Sequence, residues 1–429
     1  MNPYLNYQDR KIVFELPAGW RQLSFNEMSP RPETRDIKSE VEKALNNPVG
    51  SPRLEEMAKG QVNAVVLFDD WQRPTPASLV FPELLNRLNR GGIPDERIKA
   101  VCALGTHPAM TPEDMKRKMG PEAYERLFPR VFNHDARSPD NVVVGKSSRG
   151  SIVRINPHFH EAGLRVGIGT CVPHPWSGFG GGTKIVMPGI CGQDTIAQHH
   201  LKWVANRKTK PGLLEGNYFL EEQIEIARIV GLDFKVDFIL NSEKRPVEIF
   251  AGEPVAQHLK AVEASLECSK VRIPGMSDVG ITSAFPLEKG LQSLKGLGTA
   301  DRTTKPGGYI IWVAPQEDGN KLLPIWEEVA SKKTAHEYME DLLAGHYPPK
   351  CAPLGISLLI TIHYMKRVTK KFSKIVHVTR GISRELVEAM GFSHANTLEE
   401  ALKMVHQEIP EAAVSIFPSG GGVFPVIAP

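Results

Sequence analysis

The densest run of reactive side chains lies between His174 and His200. The segment His174-Pro-Trp-Ser-Gly-Phe-Gly-Gly-Gly-Thr-Lys184 leads into Ile-Val-Met-Pro-Gly and then to the pair His199-His200. It places imidazoles, a glycine loop and one lysine amine within 27 residues. Glycines at 178, 180, 181 and 182 remove the side chains that would hold a bulky group away from the backbone, and their amides can turn toward an anion. Such a loop suits a cofactor seat. A nucleotide-hydrolysing P-loop is excluded, because that pattern needs Gly-Lys-Ser/Thr, whereas here Thr183 precedes Lys184 and Ile185 follows it.

These residues have to be carried by a scaffold, and the hydrophobic pattern names it. Short apolar runs alternate with amphipathic stretches: 62–68 then 77–89, and 98–104 then 112–119. That is βα alternation, and Val/Ile-rich runs bounded by charges suit parallel strands covered on both faces. In open α/β sheets ligands sit beyond the carboxyl ends of the strands, so residues 70–73, Thr106-His107 and, after the run 164–170, His174 should converge. The pattern continues with a helix over 218–230, a strand over 234–240 and a helix over 251–268. A second βα series has its clearest pieces at 309–314, 323–330, 335–343, 375–378, 384–390, 397–406 and 414–417. The expected fold is therefore two α/β domains with largely parallel sheets and an active site in the cleft between them. The N-terminal domain is set at 1–270, a hinge at 271–285, the C-terminal domain at 286–412, and a strand and turn-rich tail at 413–429 that crosses back toward the hinge. Closure of such a cleft would trap a small substrate.

Composition narrows the function class. The chain has 429 residues, 41% of them apolar, enough for two cores. Its 52 basic and 49 acidic residues leave a formal charge of +3, which gives no reason to expect a nucleic-acid or membrane partner. Five dispersed cysteines with no C-x-x-C argue against a disulfide framework or a zinc ribbon, and the N-terminus has no apolar signal region, so cytoplasmic residence is expected. His134, His158 and His160 have weak claims to proton transfer, and Asn156-Pro-His158-Phe-His160 resembles a two-ligand metal loop without further Cys or His nearby.

The spacing Lys184 to His200, with a glycine loop before it and Pro-Gly between, resembles the cofactor motif of the nickel-pincer lactate racemase family. Three further elements match in order: Asp70-Trp-Gln-Arg73-Pro-Thr-Pro, Gly105-Thr-His107-Pro-Ala-Met-Thr and Gln292-Ser-Leu-Lys295-Gly-Leu. The resemblance implies a racemase or epimerase that inverts C2 of a 2-hydroxy acid by reversible hydride transfer to a nickel-pincer nucleotide, a pyridinium-3-thioamide-5-thiocarboxylic acid mononucleotide. Other proteins make that cofactor. By family position Lys184 forms the covalent thioamide, and a desolvated, neutral amine is what acyl attachment needs. His200 would ligate nickel, with His199 as its rival, since imidazole suits that metal. His107 and His174 would be the two acid/base groups that inversion requires. Arg73 would clamp the substrate carboxylate in a bidentate fashion, with Gln292 and Lys295 adding an amide and a charge from the other domain. Gly180, Gly181 and Gly182 would line the cofactor, and Asp70 would orient Arg73 or meet the ribose. The chain departs from the family at Trp71-Gln72, where lactate-directed members have a small polar residue and a threonine. Trp71 is therefore a candidate wall of the substrate pocket, and the substrate a short aliphatic hydroxy acid or a sugar acid. The alternative reading is a nickel or pincer-nucleotide carrier with little turnover.

Overall fold

The computed structural model describes residues 2–316, 334–346 and 356–428. The chain folds into two compact units, Arg31–Glu267 and a second made of Met1–Pro30 with Cys268–Pro429. The strands of the two main sheets are numbered here in chain order: β1 (Trp20–Phe25), β2 (Ala64–Phe68), β3 (Ile98–Cys102), β4 (Val131–Asn133), β5 (Leu164–Thr170), β6 (Phe234–Leu240), β7 (Pro246–Gly252), β8 (Lys270–Ile273), β9 (Ser277–Ser283), β10 (Thr304–Val313), β11 (Lys374–Val378), β12 (Ser393–Ala395), β13 (Ala412–Phe417) and β14 (Phe424–Ile427).

In the unit Arg31–Glu267 the sheet order is β7-β6-β5-β2-β3-β4. All neighbours are parallel except β7, which returns antiparallel beside β6. The central strand β2 reads AVVLF and is buried throughout, as a parallel strand covered on both faces must be. Helices flank the sheet. Helix α1 (Phe81–Arg90) buries Phe81, Leu84, Leu85 and Leu88, a spacing of three and four residues that makes one apolar face. Helix α2 (Pro112–Met119) starts where Thr111 accepts the amide of Asp114 at 3.1 Å, with proline in its first turn where no amide donor is needed. Helix α3 (Gln193–Trp203) carries the histidine pair. Helix α4 (Tyr218–Val230) is capped by the Asn217 side chain and ends at Gly231 in the left-handed region, and α5 (Pro254–Ser269) follows β7.

The second unit has the parallel order β12-β11-β10-β9-β13-β1, with β8 and β14 pairing separately. Two boundaries differ from expectation. The first thirty residues lie with the C-terminal sequence, because β1 pairs with β13 and gains its hydrogen bonds there. Most of 271–285 is strand instead of hinge: β8 pairs with the tail strand β14, and β9 is central in its sheet. The expected piece 323–330 lies outside the described residues, whereas 335–343 is helical. No helix among the described residues is long and apolar enough to cross a membrane.

Candidate active site

The turn after β2 is built by its own carboxylates. Asp70 Oδ1 accepts the Gln72 amide at 2.7 Å, and the Arg73 amide donates to the Asp70 carbonyl at 3.1 Å. From helix α2, Lys118 reaches back to the carbonyls of Asp70 and Arg73 at 3.0 and 2.9 Å and pairs with Asp69 at 2.8 Å. Thr75 bridges Asp69 and Thr170 at the ends of β2 and β5. Nothing in the helical pattern of 112–119 marked Lys118 as the staple of this turn.

The other oxygen of Asp70 is bound to His107, Oδ2 to Nδ1 at 2.6 Å. A carboxylate only accepts, so Nδ1 carries the hydrogen and a neutral His107 ring has its lone pair on Nε2. Burial alone would raise the Asp70 carboxyl, but the His107 charge and hydrogen bond, then Arg73 and the Gln72 amide, hold it down to about 2. With both oxygens engaged and the residue buried, Asp70 orients His107. The carboxylate–imidazole contact was not foreseen. The His107 loop is fixed in turn by the Gly105 amide, which donates to the Gly189 carbonyl at 2.8 Å.

His174 sits in a two-residue hairpin, 173–174 against 178–179. The amides of Trp176 and Ser177 point at its Nδ1, at 3.3 and 3.2 Å. Backbone N–H groups only donate, so Nδ1 accepts and the neutral ring carries its proton on Nε2. His107 and His174 are thus held in opposite tautomers, one presenting a lone pair at Nε2 and the other a proton. Trp176 lies edge-on to His174 at 5.9 Å and to His200 at 5.6 Å, and its carbonyl is held by Asn217 at 2.8 Å.

The histidine pair is resolved by its partners. His199 Nε2 lies 2.9 Å from the Phe219 carbonyl and His200 Nδ1 lies 3.1 Å from the Ile196 carbonyl, so both of these nitrogens donate. The acceptor nitrogen of His199 is then Nδ1, which faces His200 at 3.4 Å. His200 keeps its lone pair on Nε2, to which no described residue is hydrogen-bonded. Burial drives both rings toward the neutral form, His199 to about 4 and His200 well below the ordinary histidine value. Of the two, only His200 can offer a ligand nitrogen without breaking an existing hydrogen bond.

Lys184 lies in the turn 182–185. Burial of its amine, and then the positive charge of Arg73, lower it from 10.5 to about 7. Arg73 is half-buried, and its Nη1 is buried with no hydrogen-bond partner among the described residues. The Lys184 charge also acts on His199 and His200. Asp70 is hydrogen-bonded to His107, and Trp176 lies edge-on to both His174 and His200; these residues, with Arg73 and Lys184, all belong to Arg31–Glu267. Trp71 is half-buried and packs on the core cluster that includes Phe68 and Phe81, so it serves as an anchor of this turn. Gln292 lies in the turn 290–293, its Oε1 buried without a hydrogen-bond partner among the described residues, and Lys295 in the helix that follows; both belong to the second unit.

The glycine loop departs from expectation. The Gly180 amide donates to the Val172 carbonyl at 2.7 Å and the Gly182 amide to Asp237 Oδ2 at 2.7 Å, so neither turns toward an external anion. The anion these glycines approach is the protein's own. A Cβ on Gly181 would stand 3.0 Å from the Asp237 carboxylate, and one on Gly182 would stand 2.6 Å from the His258 ring. Gly180 meets nothing closer than 3.6 Å and is not required by packing. His134 is buried against the Cys191 carbonyl at 3.0 Å, and His158 contacts Lys99 and Phe132. Among the described residues no group of three or more His, Cys, Asp or Glu side chains could hold a metal ion. A metal at His200 would need its remaining ligands from a bound group.

The partnerless nitrogen of Arg73, the Lys184 amine biased toward its nucleophilic form and the Nε2 lone pair of His200 fit a nickel-pincer nucleotide. Residues 7–212 match the lactate racemase N-terminal domain family, and residues 275–425 the lactate racemase C-terminal domain family. The lactate racemase of Lactiplantibacillus plantarum is 31% identical over 89% of this chain and 89% of its own. That of Thermoanaerobacterium thermosaccharolyticum is 28% identical over 98% of each. The structure of the lactate racemase apoprotein from Thermoanaerobacterium thermosaccharolyticum superposes with a TM-score of 0.85 at 27% identity, covering 99% of this chain and 100% of that one. A crystal structure of a protein from Thermotoga maritima, at 18% identity and a TM-score of 0.68 over 93% of this chain and 100% of that one, shares the fold. The chain belongs to the lactate racemase family and is an isomerase.

Proposed function

We propose that this protein inverts C2 of a small 2-hydroxy acid, with lactate the first candidate, while holding a nickel-pincer nucleotide through Lys184 and His200. When bound, that group supplies a reversible acceptor for the C2 hydride, which avoids forming a carbanion beside a carboxylate. The chain's own residues do the rest. His107, its Nδ1–H tied to Asp70, can take the hydroxyl proton of one enantiomer at Nε2. His174, with its single hydrogen on Nε2, can donate a hydrogen bond to the substrate oxygen, and the imidazolium formed at His107 returns its proton to that oxygen when C2 takes its hydride back; for the other enantiomer His174 would serve as the acid/base in its charged form. Arg73, with a buried donor to spare, can hold the substrate carboxylate. Its positive charge also favours the neutral Lys184 amine that attachment requires.

The observation that carries the reading is the carboxylate–imidazole pair of Asp70 and His107, which ties Nδ1–H to a buried carboxylate and leaves Nε2 as the base. A carrier would have no use for that pairing. The test is chirally resolved product analysis with nickel-pincer-loaded protein on lactate, longer aliphatic hydroxy acids and sugar acids. Inversion of at least one of them, abolished in His107→Gln and in His174→Gln with the nucleotide still bound, is the expected result. Inversion that survives both substitutions would overturn the reading. Trp71, where lactate-directed members have a smaller residue, is proposed to set substrate range through the turn it anchors; a Trp71→Ala variant with an unaltered profile would count against that.

A further inference from the structure

The most unusual feature outside the assigned residues is an ion pair in the middle of a fully buried strand. β6 reads FKVDFIL, and Lys235 and Asp237, two residues apart, point to the same face with no exposed surface. Burying two charges is costly unless they are paired and their remaining valences filled. Lys235 Nζ binds Asp237 Oδ1 at 2.6 Å and the Val236 carbonyl at 2.8 Å. Asp237 Oδ2 accepts from Gln257 Nε2 of helix α5 at 2.8 Å and from the Gly182 amide at 2.7 Å. Burial pushes the Asp237 carboxyl up, but Lys235 and His258 outweigh it and hold it well below the usual carboxylate range.

A stability role alone does not account for this arrangement, since an apolar pair of similar volume would pack β6 as well or better. What the ionised pair adds is a fixed acceptor aimed at a glycine loop. Gly181 and Gly182 have φ of +84° and +51°, and each closes to within 3.0 Å of Asp237 or His258 at the position a Cβ would take. The Lys184 amide then bonds the Gly181 carbonyl at 3.1 Å, so the turn bearing Lys184 starts from the peptide that Asp237 holds.

We propose that Asp237, itself fixed by Lys235 and Gln257, is a positioning residue: it grips the Gly182 amide and thereby sets where the Lys184 side chain stands. The consequence for function rests on the reading of Lys184 as the attachment point, but the grip can be tested without it. The influence is geometric, running from the Asp237 carboxylate through the Gly181–Gly182 peptide to the Lys184 amide.

The experiment uses the full chain without nucleotide, comparing wild type with the Lys235→Met/Asp237→Leu double variant, which removes both charges and the acceptor while keeping bulk. Three quantities are read: the thermal midpoint, hydrogen–deuterium exchange of the peptide spanning 180–186, and the rate of Lys184 acylation by a small N-hydroxysuccinimide ester. A lost charge-assisted hydrogen bond should speed exchange at 180–186 by about 10- to 100-fold with the midpoint near wild type. Lys184 acylation should change several-fold while that of exposed lysines holds. A folded double variant with wild-type exchange and wild-type acylation would overturn the proposal. Should the double variant fail to fold, Asp237→Asn, whose amide nitrogen replaces one carboxylate oxygen and so faces either Lys235 or the Gly182 and Gln257 donors, is read by the same two local probes and the same criterion. Neither probe needs the nucleotide, so a failure of Lys184 as attachment site leaves the result on Asp237 intact.

Discussion

The Lys184 amine offers the sharpest quantitative test of the site. Burial and then Arg73 bring it from 10.5 to about 7. At neutral pH about half of the Lys184 amines are unprotonated, against about one in 3,000 for an amine at the ordinary value, a gap of roughly a thousandfold in the form that can attack an acyl group. The assay is brief acylation over a range of pH, followed by mass spectrometry of the peptide containing Lys184, with exposed Lys38 and Lys59 as internal references. The midpoint for Lys184 should lie near 7. Arg73→Met should raise it only part of the way, because burial is the larger cause and remains. Stability follows the same linkage: the folded value lies below the unfolded one, so between about 7 and 10.5 the unfolded chain holds the proton that the folded chain has lost. The stability contribution of Lys184 therefore rises with pH across that window. Lys184→Met should stabilise the protein most below pH 7, with the advantage fading as pH approaches 10.5. A Lys184 profile that tracks the exposed lysines, or a midpoint indifferent to Arg73→Met, would refute the argument that enclosure and a neighbouring cation prepare this amine.

Asp70→Asn places an N–H donor or a weaker acceptor opposite His107 Nδ1 and loosens its tautomer; kcat for inversion should fall by about 10³-fold or more with KM little changed, read by steady-state kinetics and by the imidazole 15N shifts. Asp70 is also held at about 2, so its stabilising contribution is complete above 3.8 and should be lost as pH falls toward 2, an effect absent from an Asp70→Asn acid-unfolding curve. After loading with the nickel nucleotide, His200→Ala should lose bound nickel by elemental analysis while His199→Gln keeps it, since only His200 leaves an acceptor nitrogen uncommitted. Lys118→Met removes two charge-assisted hydrogen bonds and an ion pair from the Asp70–Arg73 turn, and should cost about 1.5–3 kcal/mol in denaturant unfolding.

What could be read from the chain followed the range over which its causes act. The run 164–170 and the helix pattern 218–230 are local, set by side-chain period and caps, and both elements have those limits. The pairing of β1 with β13 joins residues 20–25 to 412–416, and no local pattern encodes that register. The same division holds within the site. Lys184 and His200 stand in one motif, whose spacing already prefers His200; the physical difference between His199 and His200 lies in the Phe219 carbonyl, which is beyond the motif. Asp237 was the instructive omission. Phe-Lys-Val-Asp-Phe-Ile-Leu reads as a strand, and a lysine and an aspartate two apart must share a face, so on a strand buried on both sides they must bury together. A charge pair placed where solvation would be lost implies a partner that needs it. Gly182, whose φ and close neighbours leave no space for a side chain, is that partner. The glycines of this loop were first understood as room for a ligand; two of them are instead required by a carboxylate and an imidazole of the protein, which ties the lysine turn to the sheet beneath it.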